Sequence, residues 1–404
     1  MTNPPHIYVA LPVMDEAGGL PVILNLLKEQ TFRDFTLVVC VNQPDGWWDD
    51  PEKSVICETN AHSLALLNSF REFRVEVIDC SSRGSGWRGR KHGVGWARKT
   101  VMDQISGEAA STDIILSLDA DTVFCDRYLE SVVESLITYP TAMALSIPYY
   151  HRLPDDPVAA RAILRYEIYI RHYLLNLFRI GSPYAFTALG SAMAFPVWAY
   201  RKVGGMTPKL SGEDFYFLQK LRKGGALVCR NRETLYPEAR FSSRVFFGTG
   251  PAMIRGARGD WGSYPIYSSG LFDDIGESYR RFPDAYAGQV ELPVTGFLRE
   301  MTGEADPFGA LRKNATDEKQ FVRACHEKFD GLRILQYLKQ KQKTSRRSDE
   351  ENLTGWFHRF YPDFRFPLQK GFSFNESSLD MLDGIRNFLF REESRLREAY
   401  PLLK

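Results

Sequence analysis

Two carboxylates, Asp119 and Asp121, stand where the apolar run 114–119 ends. Residues two apart in a strand project from the same side, so both side chains can converge on one external point. Anions held that close repel unless a cation or a shared proton lies between them. A divalent metal is the simplest occupant of that point. A second acidic pair, Asp15 and Glu16, follows the strand-like run 7–12 and its terminal Pro12. Asp15 there could equally cap the next helix. A third pair, Glu213 and Asp214, opens the helical pattern of 215–223 and follows the glycine-rich segments at Gly190-Ser191 and Arg201-Lys-Val-Gly-Gly205. Ser211 and Asp214 also have the spacing of a capping box. Glycines beside paired carboxylates suit a pocket that must admit a substrate closely.

Gly84, Gly86 and Gly89 match the G-x-G-x-x-G spacing of a dinucleotide loop. They follow the third strand, however, and Arg88, Arg90 and Lys91 crowd them. The G-x-G-x-R loop of nucleotidyltransferases normally follows the first strand. A basic loop contacting a phosphate-bearing ligand accounts for the composition better.

The elements that must position these groups are short and alternating. Apolar runs at 7–12, 35–42, 75–79, 114–119 and 142–148 read as strands, and 20–29, 63–70, 93–105 and 127–139 carry helical periodicity. Such alternation predicts a largely parallel sheet with helices on both faces, with ligands at the carboxyl ends of its strands. Pro12, Asn42, Asp79 and Asp119 fall on that edge. A long helix over 157–180 reads as a core-covering element with a basic outer face, or as a surface for an acceptor or a membrane. Beyond 260 the alternation stops. Helical patterns return at 317–343 and 377–400, on either side of a charged link at 344–351. The reading is a catalytic domain over 1–260 and a mixed, mostly helical appendage over 261–404.

Bulk composition narrows the class. In a chain of 404 residues, 51 basic against 50 acidic side chains leave a net charge of +1, which argues against a nucleic-acid partner. Six cysteines include no C-x-x-C pair, and Cys40 reads as a reduced core thiol. The first residues lack a signal-peptide pattern, and the longest uncharged run, near 180–200, is broken by Gly181, Pro183, Gly190 and Pro196. A cytoplasmic protein without a transmembrane segment is expected, with peripheral membrane contact left open.

Taken in order, these segments resemble the family 2 glycosyltransferases. The family's P-x-x-N/D-E turn is matched by Pro12 to Glu16, its A-R-N-like helix start by Ala97, Arg98 and Lys99, and its D-x-D motif by Asp119 and Asp121. Its G-S loop is matched by Gly190 and Ser191, its R-x-x-G-G turn by Arg201 to Gly205, and its E-D pair by Glu213 and Asp214. The match covers roughly residues 6–225. It departs at Lys99, where asparagine is usual, and at Asp15, where asparagine is frequent.

The resemblance implies an α/β GT-A fold, nucleotide-diphospho-sugar transferase-like, with the helical appendage added. It implies transfer of one sugar from a nucleotide diphosphate sugar, UDP- or GDP-linked, to a hydroxyl acceptor, with inversion. Pro12, Glu16, Asn42, Arg98, Asp119 and Asp121 would contact the donor, with Asp121 on Mn²⁺ or Mg²⁺. Gly190, Ser191 and Glu213 would line the acceptor and sugar region, and Asp214 would be the catalytic base. Arg240, Arg244, Arg255 and Arg258 would be diphosphate clamps. The Q-x-x-R-W motif and membrane spans of processive members are missing, so polymer synthesis is not expected. Alternatives are a catalytically silent sugar-nucleotide binder, or a nucleotidyltransferase on a related fold.

Overall fold

The computed structural model describes residues 4–89, 91–209, 212–242, 248–364 and 371–404. By its contacts the chain forms two compact units. The first comprises residues up to Ile163, Phe186–Gly259 and Arg397–Lys404; the second comprises Leu164–Ala185 and Asp260–Leu396. Two segments therefore cross the single cut at residue 260 that the sequence suggests.

Among the described residues the first unit has ten strands. They are β1 (Ile7–Val13), β2 (Phe35–Asn42), β3 (Val75–Cys80), β4 (Ile114–Ser117), β5 (Thr122–Val123), β6 (Ala144–Ser146), β7 (Met193–Pro196), β8 (Leu227–Val228), β9 (Tyr236–Pro237) and β10 (Leu402–Leu403). Eight of these make one sheet in the order β10-β8-β6-β7-β4-β1-β2-β3, while β5 and β9 pair separately. Within the large sheet β1 is parallel to β2 and β4, β2 to β3, and β6 to β8. Only β7 and β10 run against their neighbours. Every residue of β2 is buried, as its unbroken apolar run requires of a strand covered on both faces. Cys40 in that strand is a fully buried free thiol.

The helices of this unit are α1 (Gly19–Lys28), α2 (Ser54–Ser69), α3 (Val94–Glu108), α4 (Tyr128–Thr138), the first residues of α5 (Pro157–Arg179), α6 (Val197–Lys202) and α7 (Glu213–Gly224), with Thr249–Ala257 following. This is the mostly parallel, helix-flanked sheet that the alternation predicts. Helix α2 begins well before the periodic stretch 63–70. Its buried positions are Cys57, Asn60, Ser63 and Leu67, so half of its inner face is polar and hides the period.

The second unit is helical among its described residues, with Phe282, Phe297, Phe308, Phe321 and Tyr337 fully or almost fully buried. The pattern at 317–343 divides into Glu318–Lys328 and Gly331–Gln342, because the Asp330 carboxylate accepts the Arg333 N–H and caps a new helix. The helix expected over 377–400 is Leu379–Ala399. The basic outer face expected of α5 is not found. Arg171 and Glu167 are buried, and Arg171 bridges Glu167 at 3.1 Å and Glu393 at 2.5 Å, with Arg386 3.4 Å from Glu167. Acidic partners on Leu379–Ala399 turn that face inward, which periodicity alone does not reveal. No helix of the described residues is long and apolar enough to cross a membrane.

Candidate functional site

The site is built at the carboxyl edge of β1, β2 and β4, and Arg98 is its inner anchor. Helix α3 delivers Arg98 from its second turn. Gly95 lets that helix start lie against the backbone of Lys209, where a Cβ would sit only 2.1 Å from the Lys209 carbonyl oxygen. The Arg98 side chain is 3% exposed. Its Nε donates to Glu213 Oε1 at 3.1 Å, and its Nη2 to Asp119 Oδ1 at 2.5 Å. Its Nη1 donates to Ser117 Oγ at 2.7 Å and to the Gly190 carbonyl at 3.0 Å. Burial alone would disfavour this charge, but Asp119 and Glu213 outweigh it and hold the guanidinium above its ordinary range. Arg98 thus joins the D-x-D motif, the Gly190 loop and the acidic pair of α7.

Gly190 is required for this junction. A Cβ there would lie 2.1 Å from Arg98 Nη2, a nitrogen already fixed to Asp119. Gly190→Ala is therefore expected to lower stability by about 1–3 kcal/mol, the usual cost of overpacking. Urea unfolding measures it, and an unchanged midpoint would mean that Arg98 shifts without cost.

Glu213 and Asp214 occupy the first turn of α7, where the helix dipole favours anions. The helix cap is Gly212, in the left-handed conformation at φ 73°, and Asp214 is the second residue of the helix. Ser211, the other half of the expected capping box, lies outside the described residues. Asp214 Oδ1 accepts the Phe215 N–H at 2.7 Å. Burial raises the Asp214 carboxyl above the usual carboxylate range, against the opposing effects of the Phe215 N–H and Arg98. Burial and the Asp214 charge likewise raise Glu213, against the pull of Arg98.

An outer group surrounds Arg240. Its Nη2 donates to Glu16 Oε1 and, at 2.9 Å, to Asp121 Oδ2, while its Nη1 lies 3.2 Å from Glu238. The β5–β9 pair places it, because β5 directly follows Asp121 and the Glu238 N–H donates to the Asp121 carbonyl at 3.0 Å. Glu16 and Asp121 thus converge on one positively charged nitrogen. Hard carboxylate oxygens aimed at a cationic point fit Mn²⁺ or Mg²⁺ in donor type. Among the described residues no group of three or more His, Cys, Asp or Glu could hold an ion. A metal here would take its remaining ligands from substrate and water.

Pro12 lies in β1 opposite Cys40, and Asn42 ends β2. The Asn42 amide is 3% exposed and donates to the Val13 carbonyl at 2.9 Å, tying the ends of the two strands together. Asp15, with φ 57°, is the one described non-glycine residue at positive φ. Its N–H donates to Asn60 Oδ1 at 2.9 Å, and Asn60 Nδ2 donates to Gln43 Oε1 at 2.8 Å. Asn60 and Gln43 therefore hold the turn that aims Glu16. Neither was a sequence candidate, since a polar residue on a helix carries no signal of a partner 45 positions away. Ser191 is buried in the loop next to Gly190.

The glycine loop after β3 packs against its own chain. The Gly84 N–H donates to Asp45 Oδ1 at 2.7 Å, and a Cβ on Gly86 would lie 2.7 Å from the Asp45 Cα. A carboxylate occupies the place that an anion-binding loop would offer to phosphate. Arg88 is exposed, its Nε 3.9 Å from Asp45. Arg90 and Arg244 lie outside the described residues. Of the expected donor contacts, Arg98 differs most, because its N–H groups face Glu213, Asp119, Ser117 and Gly190 inside the protein.

No family model matches the chain, and neither does any curated protein. Solved structures do align with it. One is S. aureus TarS, residues 1–349 in complex with UDP-GlcNAc, at 12% identity over 98% of this chain and 91% of that one, with a TM-score of 0.39. Another is the mannosyltransferase PcManGT from Pyrobaculum calidifontis in complex with GDP-Man and Mn²⁺. It aligns at 13% identity over 99% of this chain and 88% of that one, with a TM-score of 0.42.

Proposed function

We propose that this chain is a GT-A glycosyltransferase that moves one sugar from a nucleotide diphosphate sugar to a hydroxyl acceptor with inversion. The observation that carries this reading is the Arg98 junction, in which Asp119 of the D-x-D motif and Glu213, next to Asp214, share one buried cation. The donor nucleotide, with UDP or GDP as its base-bearing part, would lie along the β1 and β2 ends near Pro12 and Asn42. Asp119, held by Arg98, would orient the ribose or sugar. Asp214 would accept the acceptor hydroxyl's proton as the new bond forms at the anomeric carbon. Glu213, whose Oε1 accepts from Arg98 Nε, would serve to position that side chain and the acceptor region.

Asp121 would hold Mn²⁺ or Mg²⁺, with Glu16 beside it; such an ion neutralises the departing diphosphate. The nucleotidyltransferase alternative is disfavoured because Asp45 fills its expected phosphate loop. Calorimetry tests the proposal. With Mn²⁺ present, wild-type chain should bind UDP- or GDP-linked sugars. Asp121→Asn should lose the metal-dependent part of that affinity and keep the circular dichroism spectrum. Unchanged metal-dependent affinity would return Asp119 and Asp121 to the status of a polar strand end. Binding without turnover would favour the silent sugar-nucleotide binder.

A further inference from the structure

Helices α3 and α7 each carry a lysine one turn beyond a residue that fixes Lys209. On α3 that residue is Gly95, whose missing Cβ leaves room for the Lys209 backbone, and Lys99 follows four residues later. On α7 it is Tyr216, with the Lys209 ammonium 4.0 Å from its ring centroid, and Lys220 follows four residues later. Residues four apart on a helix share a face, so Lys99, Lys209 and Lys220 gather beside the starts of both helices. Lys99 Nζ donates to Asp103 Oδ2 at 2.7 Å, and the same carboxylate accepts the Tyr200 hydroxyl at 2.6 Å. Lys220 Nζ donates to the Gly205 carbonyl at 2.9 Å, while the Lys209 ammonium has the Tyr216 ring as its described contact. Burial and the Lys99 charge lower the Lys220 ammonium below its ordinary range, and no carboxylate offsets them. Three ammonium groups thus share one carboxylate, Asp103, while Glu213 at the head of α7 faces Arg98. Like charges set together repel unless an anion joins them.

We infer that Lys99, Lys209 and Lys220 bind a phosphate group carried by the acceptor, beside Asp214. The inference rests on the transferase reading with Asp214 as its base. Tyr216 and Lys220 follow Asp214 by two and six residues, about 3 and 9 Å along the helix axis, a span that one small acceptor covers. An ammonium is a compact point charge with three donors, suited to phosphate oxygens that arrive from several directions. The two uncompensated charges match a phosphate monoester, which carries about −1.5 to −2 near pH 7, better than they match a carboxylate. Lys99 is also the position at which the sequence departs from the usual asparagine, so the lip is a feature of this chain.

The test uses the full chain with Mg²⁺ and UDP or GDP filling the donor site, and calorimetric titration with glycerol 3-phosphate, glycerol or inorganic phosphate. Wild type should bind glycerol 3-phosphate about tenfold or more tighter than glycerol, the worth of one charged hydrogen bond. Lys99→Gln, Lys209→Gln and Lys220→Gln together should remove that preference. Lys209→Gln alone, which breaks no described hydrogen bond or ion pair of that side chain, should weaken it about threefold, as for an exposed ion pair. Lys28→Gln, Arg33→Gln and Arg74→Gln together are the control, since these exposed residues remove the same charge at the end of α1 and just before β2 and β3. That control should retain the preference. No preference in wild type, its survival in both lysine variants, or an equal loss in the control overturns the inference and leaves the transferase reading intact. Inorganic phosphate binding as tightly as the ester would make the lip a free-anion site and overturn its role toward the acceptor. If neither UDP- nor GDP-linked sugars bind wild type with metal present, the transferase reading itself fails, and the inference with it.

Discussion

Asp214→Asn is expected to lower turnover at least about a hundredfold, the low end for general base catalysis, with donor affinity nearly retained. A sugar hydroxyl is a poor nucleophile at neutral pH, and the amide can accept a hydrogen bond without taking the proton away. The pH dependence follows from the same group. A base must be ionised to work, and burial raises the Asp214 carboxyl, so activity falls as pH drops through a value above the ordinary carboxylate range of about 4. In the asparagine variant that acidic limb should vanish from the residual rate. Proton NMR of the product reads the anomeric configuration. Retention would exclude direct displacement and leave Asp214 in need of another role.

Arg98→Met should be the most destabilising single change in the site. Removing one partner of a buried ion pair leaves the other charge without compensation, at a cost of about 3–5 kcal/mol. Against a total stability of about 5–15 kcal/mol that is a large fraction. Two carboxylates lose their partner here, Glu213 at 4% exposure and Asp119 at 30%. The sign with pH is specific. Burial and Asp214 already raise Glu213, and loss of Arg98 removes the main opposing effect, so its folded-state pKa rises further above the unfolded value. The variant is then weakest at high pH, where Glu213 must ionise, and recovers as falling pH protonates it. Urea unfolding at pH 5 and pH 8 measures the difference. Arg98→Met with Glu213→Gln should regain part of the loss. Equal losses at both pH values with no rescue would show that Arg98 acts through packing alone.

The parts of this architecture that repeat locally were legible in the residues. Strands β1, β2 and β4 are apolar runs closed by turn residues, and the placement of Asp119 at a strand end follows from that pattern alone. Strand β7 was not legible. Met193–Pro196 follows Gly190-Ser191 closely and its last residue, Pro196, is already the cap of α6, so it read as part of the glycine loop. The acidic and glycine motifs were visible as separate clusters, and Arg98 and Arg240 were read as donor contacts, but the carboxylates that these two cations join were not legible. Arg98 meets Glu213 across 115 positions, and Arg240 meets Glu16 across 224. Local spacing carries no record of such pairings. The same gap explains α5, whose arginines looked solvent-facing until their acidic partners beyond residue 380 were in place.

The return of Arg397–Lys404 to the first unit has a consequence for how the chain is made. Strand β10 covers β8, and the buried Arg397 donates to the carbonyls of Ser146 and Cys229 at 3.0 and 2.7 Å. During synthesis from the amino end, the sheet that carries the site stays open along β8 until more than a hundred intervening residues have been added. An unpaired edge is a template for pairing with another chain. Closing it last is a long-range, slow event. On the ribosome, the second unit can therefore gather its helices before the first has finished its sheet, which reverses the usual amino-to-carboxyl order of domain folding.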